Sequence, residues 1–494
     1  MQSSTTTRPA ETTAQANEQA GSMRLVWLLV AATFVVFLNE TTMGVALRPV
    51  MLDLRVDERT GQWLTAAFML TMAVVIPVTG FLIQRLTTRQ VFVSAMILFS
   101  AGTVLAAVAP SFAALVVGRI VQASGTAIML PLLMTTLMTV VPVDRRGAMM
   151  GNVSLVISVA PAVGPTLSGA LLSSVGWRGI FWVMLPIGVG MLFVGLRLVR
   201  NLGEPGNARL DLLSVPLSLV GFGGLVFGLS RIGAPTSTEN PLLAGPALPL
   251  TAGLLALGLF CYRQIVLQRH DRAMLDLRTF SYRSFSVSLL VMLLLMASLF
   301  GVIIVLPLYL LGVLQVAPLT AGLLLLPGGL LMGLLGRPVG AMYDRRGPRP
   351  LVLPGVVLTS LATWSLVTVG TGTPLGLVTA AHVVLSIGLA LVFTPLFTLS
   401  MSAVPPNLYP HASALLGSLQ QVAGAAGTAL SITVLSVATA AATAGGAASV
   451  PAQASGIRAA FLAAAVMSLV AVALATLVRS APASDARPHS PAGH

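Results

Sequence analysis

An acid, Glu40, and a base, Arg119, lie inside long apolar stretches of this chain. Glu40 follows Asn39 and precedes two threonines within the apolar segment 33–47. A charged carboxylate in hydrocarbon costs several kcal/mol, so such a group is protonated, paired or in contact with water. A carboxyl that alternates between its neutral and charged forms inside a membrane can carry a proton. We therefore predict that Glu40, Asn39 and Arg119 form a proton-coupling site.

Arg119 stands three residues before Gln122 in a second apolar segment. Residues three apart on a helix share one face, so the guanidinium and the amide would face the same neighbours. Two interpretations remain open at this point. Arg119 sets the charge balance around Glu40, or its long side chain extends along the helix and leaves its charge at the membrane interface.

Helices that cross a membrane must position these groups. The chain has 494 residues, of which 56% are hydrophobic and only 8% charged. A soluble protein of this size could not cover its surface with so few charges. Apolar runs of ~20 residues without period-2 alternation indicate spanning helices rather than a barrel. One cysteine excludes an internal disulfide, no spacing resembles a metal motif, and no cofactor is expected beyond a coupling proton.

The apolar runs predict fourteen spans and an all-α fold. Every basic residue is an arginine, and the net charge is +13. With both termini inside the cell, 20 arginines fall on the inner side and 6 on the outer side, which favours this orientation over a nucleic-acid-binding role. The expected spans are about 25–47, 62–84, 91–109, 112–138, 147–172, 179–199, 210–231, 245–267, 284–312, 317–341, 350–371, 375–401, 411–439 and 457–479.

An internal repeat follows the second and tenth spans. GFLIQRLTTR at 80–89 and GAMYDRRGPR at 340–349 share a glycine, a polar or acidic residue four positions later, an arginine next, and another arginine after four more. The spacing indicates a six-helix unit used twice, which is a transporter architecture with its substrate site between the halves. We predict a conformational gate at these loops, with Gly80, Arg85, Arg89, Gly340, Asp344, Arg345 and Arg349; the alternative is that the arginines only signal topology.

A further motif, SVAPAVGPTLSGALL at 158–172, places two prolines and several small residues in the fifth span. Prolines free backbone carbonyls and bend a helix, and small residues let a neighbouring helix approach closely. The chain resembles the major facilitator superfamily in this motif, in the repeated loops, in GRIVQASGTA at 118–127 and in the Asn39-Glu40 stretch. Within that superfamily the chain is similar to the fourteen-span drug–proton antiporters of the EmrB/QacA type, and particularly to the LmrB-like subgroup. The antiporter motif of that family falls on Pro161, Gly164, Pro165 and Gly169.

The resemblance implies a major facilitator fold in a bacterial cytoplasmic membrane, with no enzymatic activity. Its expected function is proton-coupled efflux of hydrophobic, cationic or amphipathic drugs by a monomer embedded in the lipid bilayer, without a nucleic-acid partner. The expected parts are a disordered cytoplasmic tail (1–24), an N-terminal six-helix bundle (25–200), two inserted helices with a cytoplasmic linker (201–283), a C-terminal six-helix bundle (284–480) and a second disordered tail (481–494).

Aromatic and amide side chains that could line a drug pocket form a larger group. Aromatic rings attract flat cations, and amides offer hydrogen bonds. The candidates for substrate binding are Gln122, Trp63, Phe68, Tyr309, Gln420 and Gln421; the two last residues serve equally well as hydrogen-bonding contacts between helices.

Two other functions remain open from the sequence. One is a dedicated exporter of a self-made antibiotic or metabolite, which the residues do not separate from a multidrug pump. The other is a membrane sensor or enzyme, for which the chain lacks a nucleophile elbow, a phosphate-binding loop or a metal cluster.

Overall fold

The structure, a computed structural model, describes residues 9–61, 63–199, 201, 211, 213–232, 245–270 and 272–478. Within these ranges all regular secondary structure is helical, as the sequence predicts. The α-helices are α1 (Pro9–Leu54), α2 (Glu58–Gly61), α3 (Trp63–Arg85), α4 (Thr88–Ala107), α5 (Phe112–Val140), α6 (Arg146–Leu198), α7 (Ser214–Ser230), α8 (Ala247–Leu267), α9 (Arg283–Leu308), α10 (Pro318–Arg346), α11 (Arg349–Val367), α12 (Leu375–Ser402), α13 (Tyr409–Ala444) and α14 (Ser449–Ala475).

Polar caps set where several of these helices begin. Thr87 and Gln90 form a reciprocal capping box at the start of α4, directly after the first repeated loop. The Ser111 hydroxyl accepts a hydrogen bond from the Ala114 amide at the start of α5, 3.3 Å away. Gly347, with φ 74°, ends α10 in the second repeated loop. The cap at Ser111 also places Arg119 about two turns inside α5.

The prediction of fourteen spans is not confirmed. Twelve helical segments of the described chain are long and apolar enough to cross a membrane. The predicted fifth and sixth spans lie in one run, α6, of 53 residues, and α7 has only 17 residues. Gly176 interrupts α6 with φ 72° and ψ 180°, a conformation that glycine adopts without the steric penalty of a Cβ.

The helices form two bundles, α1 with α3–α6 and then α9–α14. The bundles meet where α6 runs along α10 and where α3 runs along α13. α7 contacts both α3 and α13, and α8 packs against α7. The inserted pair therefore touches both bundles through α7. α1 begins at Pro9, so it extends into the tail that the sequence predicts to be disordered, whereas residues 481–494 lie outside the described part.

We call the end of the molecule that carries residues 84–89, 144–148, 344–349 and 407–411 the motif end. At the opposite end, hydrogen bonds connect helices within the first bundle. Arg178 Nη1 and Trp177 Nε1 both donate to the carboxylate of Asp53, at 2.6 and 3.0 Å, and Arg178 Nη2 donates to the Ala109 carbonyl at 3.1 Å. The hydrogen bond from Arg178 lowers the pKa of Asp53. These bonds join α1 to α6 and to the turn before α5.

Candidate proton-coupling site and gate

The polar residues of α1 divide into two kinds. Thr41 and Thr42 satisfy their hydroxyls on the backbone one turn back, Thr41 on Leu38 at 3.0 Å and Thr42 on Asn39 at 2.8 Å. The amide of Asn39 and the carboxyl of Glu40 have no such local partner, so they are available to groups on neighbouring helices.

Arg119 is buried inside the first bundle, with 1% of its surface exposed. Its Nη1 donates to Gln122 Oε1 at 2.6 Å and lies 3.3 Å from Asn39 Oδ1. Its Cζ stands 4.0 Å from the ring centroid of Phe68, a cation–π distance. The charge is thus held by the protein interior, and the alternative in which it reaches the membrane interface is wrong for this conformation.

Glu40 is half-buried beside this network. Among the described residues, its Oε2 is buried without a hydrogen-bond partner, and the charge of Arg119 acts on the carboxyl without an ion pair within 4.0 Å. A buried carboxylate without a direct partner is costly unless a proton neutralises it. Asn39 and Glu40 are ~100° apart on the helix. Arg119 interacts with both residues: it donates a hydrogen bond to the Asn39 amide, and its positive charge acts electrostatically on the Glu40 carboxyl.

The antiporter motif lies against this part of α1. Ala160, Gly164 and Ser168 are spaced four apart on one face of α6 and are buried. A side chain at Gly164 would collide with the hydroxyl of Thr41, and Ser168 Oγ donates to the Thr42 carbonyl at 2.7 Å. The small residues therefore let α6 approach the helix that carries Glu40.

For the remaining motif residues, the structure describes no contact with α1. Gly169 is exposed, with open space where a Cβ would stand. Pro161 and Pro165 lie on the helical backbone of α6, but their side chains fall outside the described part.

The second repeated loop joins the bundles at the motif end. The Asp344 carboxylate accepts hydrogen bonds from the backbone amides of Gly147 at 2.7 Å and Ala148 at 2.8 Å, in the first turn of α6. Amides in a first turn have no partner within their own helix, and the helix dipole favours an anion there. Gly340 and Gly147 lie in close backbone contact beside this bond.

The arginines of the second loop take no part in this contact. Arg345 and Arg349 are exposed, and Asp344 forms no ion pair with Arg345. The acid of this loop instead caps a helix of the other bundle.

The first repeated loop makes the corresponding contact without a charge. Gln84 Nε2 lies 2.9 Å from Nε2 of His411, near the start of α13, and Gly80 packs against Pro410. Arg89 Nη2 donates to the Leu196 carbonyl at 2.7 Å within its own bundle. Arg85, the third predicted gate residue of this loop, is exposed. The two loops therefore occupy equivalent positions between the bundles, but only the second loop makes its contact with a charged side chain.

Three further contacts between the bundles, which the sequence does not predict, lie at or near the motif end. Thr394 donates to Ser154 at 2.7 Å, the hydroxyls of Thr135 and Ser413 are 3.2 Å apart, and Arg146 Nη1 donates to Tyr409 Oη at 3.3 Å. Among the described residues, the polar contacts between bundles all lie toward this end. The polar contacts therefore join the two bundles at the motif end.

The predicted substrate residues are placed differently from one another. Gln122 and Phe68 are fully buried around Arg119, so they belong to the charged network in this conformation. Tyr309 is also fully buried, and its hydroxyl donates to the Gly370 carbonyl at 2.7 Å. The ring packs within the second bundle in this conformation, and its role as a substrate contact stays a prediction.

The other three candidates have a partly exposed side chain or an unpartnered polar atom. Trp63 is 38% exposed and lies against Phe227 of α7, with ring centroids 5.5 Å apart. Gln420 is buried on α13, and its Nε2 has no hydrogen-bond partner in the part of the chain that the structure describes. Gln421 next to it is half-buried. The unpartnered amide of Gln420 is the clearest candidate for a ligand contact from the second bundle.

The linker after α8 connects the inserted helices to the gate. Gln264 on α8 is fully buried; its Oε1 accepts from the amides of Met274 and Leu275 at 2.7 and 3.1 Å, and its Nε2 donates to Ser214 of α7 at 2.7 Å. Nδ1 of His411 lies 3.2 Å from the Met274 carbonyl. A continuous chain of hydrogen bonds thus runs from α7 and α8 to Gln84.

Comparison with known proteins gives a family model and close relatives. The model described as "Major Facilitator Superfamily" matches residues 29–428. The chain is 39% identical over 446 residues to "Uncharacterized MFS-type transporter YcnB" of Bacillus subtilis, covering 90% of this chain and 93% of that protein. It is 37% identical over 406 residues to "Lincomycin resistance protein LmrB" of Listeria innocua, covering 82% and 84%.

Solved structures share the fold at low identity. The human organic anion transporter MFSD10 matches with a TM-score of 0.62 at 16% identity, covering 92% of this chain and 99% of that one. FucP in the outward conformation matches with a TM-score of 0.59 at 12% identity, covering 93% and 99%. These likenesses concern the fold alone.

Proposed function

Because the chain belongs to the major facilitator superfamily of transporters, with LmrB-like relatives as its motifs predict, we propose that it is a proton-coupled multidrug efflux transporter. Its substrates are hydrophobic small molecules, cationic or amphipathic, and it moves them by alternating access. The observation that carries this proposal is Glu40, a half-buried carboxyl with one unpartnered oxygen beside the buried Arg119. Relatives named for lincomycin resistance, and others named "Multidrug resistance protein B homolog", support drug export.

The proposed cycle starts from the conformation described above. With the motif end closed, a proton entering from the opposite side of the membrane neutralises Glu40. Neutralisation removes the cost of the buried charge and lets α1 repack against α6, and the motif end then opens. Drug and proton act on the same conformational equilibrium, so each weakens the binding of the other by linkage. A membrane potential of ~150 mV supplies ~3.5 kcal/mol for each proton.

The proposed topology places the motif end in the cytoplasm of a bacterial cell, with both termini inside, because most arginines flank that end. We propose fourteen crossings in a monomer. A continuous helix with the 53 residues of α6 would be ~80 Å long, far more than a bilayer core of ~30 Å, so the break at Gly176 marks two crossings. The 17 residues of α7 reach ~25 Å and cross with the help of flanking residues.

A susceptibility panel tests the proposal. Cells expressing the wild type should tolerate more lincomycin and more of the lipophilic cation ethidium than cells expressing Glu40→Gln, and an uncoupler should abolish the difference. Asp144→Asn, which removes an exposed acid, is the matched control and should behave as the wild type. Protection by Glu40→Gln equal to that of the wild type would overturn the proton role. Protection only against neutral or anionic compounds would overturn the substrate class.

A further inference from the structure

Thr103 lies on α4, which packs against α5, the helix that carries Arg119 and Gln122. It is fully buried, and it stands next to Gly102, where α4 and α5 are in close backbone contact. A Cβ at position 102 would collide with the backbone of Gln122, so only glycine permits this approach. The approach brings the Thr103 hydroxyl within 2.8 Å of Gln122 Nε2.

The single hydroxyl hydrogen of Thr103 is already used. Thr103 Oγ1 donates to the Phe99 carbonyl at 2.6 Å, one turn back on the same helix. Since a threonine has one hydrogen to donate, its oxygen can only accept from Gln122. The NH₂ group of the Gln122 amide must therefore face Thr103, and its Oε1 must face Arg119, to which it is bonded at 2.6 Å.

The reversed amide is disfavoured at both ends. It would place the NH₂ group of Gln122 against the guanidinium of Arg119, so that two donors face each other in a buried site. It would also require Thr103 to give up its bond to Phe99. Loss of the hydroxyl alone leaves the NH₂ group of Gln122 without a partner, and the amide is then free to turn away from Arg119.

We propose that Thr103 is a positioning residue of the proton-coupling site, which fixes the Gln122 amide and thereby keeps Arg119 turned away from a direct ion pair with Glu40. This inference rests on the proposed function, since it takes Glu40 as the proton carrier. Of the described side chains on the elements packed against α1, which are α2, α3, α5 and α6, only that of Arg119 acts electrostatically on Glu40. The orientation of that one guanidinium therefore controls how readily the carboxyl accepts a proton.

The test measures protonation of Glu40 without a substrate. A protonated carboxyl adds across a C=N bond of dicyclohexylcarbodiimide, its oxygen to the carbon and its proton to the nitrogen, and the product rearranges to a stable N-acylurea. Mass spectrometry of the purified full-length protein quantifies this adduct on Glu40 across a pH series, with Glu40→Gln as the blank. Thr103→Val keeps the shape of the side chain and removes the hydroxyl. Its labelling midpoint should move toward acid by about one pH unit, a tenfold effect, because Arg119 then turns to Glu40 and holds its charged form.

Thr103→Ser keeps the hydroxyl and should have the midpoint of the wild type. Should Thr103→Val not fold, Gln122→Met removes the same bond from the other side and should give the same acidic shift. An unchanged midpoint in Thr103→Val, an equal shift in Thr103→Ser, or labelling of wild-type Glu40 that does not vary with pH would each overturn the proposal. Failure of the proposed function is distinguishable: Glu40→Gln would then still export drug along a pH gradient, whatever the labelling midpoints are.

Discussion

Replacing Asp344 by asparagine should open the gate at the motif end. The carboxylate accepts two backbone hydrogen bonds from the first turn of α6. Asparagine keeps one acceptor oxygen and loses the charge and the second acceptor. A hydrogen bond to a charged group contributes ~1.5–3 kcal/mol against ~0.5–1.5 for a neutral one, and the helix terminus adds ~0.3–1. Because Asp344 is only half-buried, we expect a loss of about 1–2 kcal/mol.

That loss corresponds to a 5- to 30-fold rise in the ratio of inward-open to outward-open protein, at about 1.4 kcal/mol for each factor of ten. Val143 and Asn407 are both exposed at the motif end, one in each bundle. Spin labels attached to cysteines introduced at these two positions, in a Cys261→Ser background, report the distance between the bundles. Electron–electron resonance should show a longer distance whose share of the population rises in Asp344→Asn.

Asp144→Asn is the matched control for this variant. It removes the same charge at the same end, but the side chain of Asp144 is 76% exposed and its contact with Arg145 is 3.8 Å long. The distance distribution in this control should equal that of the wild type. A distribution in Asp344→Asn that also equals the wild type would refute the reasoning, because the bond between bundles would then contribute nothing to closing the gate.

Three further outcomes are expected. Arg119→Ala should lower the transport rate in proteoliposomes at least tenfold and change ligand affinity less than threefold; normal transport would exclude a role in coupling. Gln264→Ala leaves two buried linker amides unpaired and should increase the inward-open population several-fold in the spin-label experiment, while Gln268→Ala, a neighbouring glutamine, should not. The bond from Arg263 lowers the pKa of Asp211 to about 2, so its stabilisation is present above pH ~4 and is lost as pH falls toward 2. Asp211→Asn should melt earlier at pH 7 and lose less stability than the wild type between pH 4 and 2; equal losses would contradict this.

The charged pair of the site could be predicted because burial of charge is expensive. Glu40 and Arg119 both lie well inside apolar segments, and each lowers the cost of burying the other. The side of α1 that carries the carboxyl could not be predicted. It depends on the rotation of α1 about its own axis, which the close contact with Gly164 and Ser168 on α6 sets in three dimensions.

The gate was only partly predictable for a related reason. The spacing of Gly340 and Asp344 marks the loop, but the partners of the acid are backbone amides of Gly147 and Ala148, which any residue type could supply. Thr103 gave no signal either, since a lone threonine in an apolar helix most often satisfies itself on its own backbone. Only the packing of α4 against α5 shows that the Thr103 oxygen also accepts a hydrogen bond from Gln122.

The central claim is that Glu40 carries the proton that drives export. Purified wild-type protein and Glu40→Gln in proteoliposomes, given the same imposed pH gradient, test it through the exchange of ethidium for protons across the membrane. The account predicts that the wild type moves ethidium against its gradient while protons move down theirs, and that Glu40→Gln does neither, although it still binds ethidium. Proton-driven ethidium exchange by Glu40→Gln at the wild-type rate would contradict it.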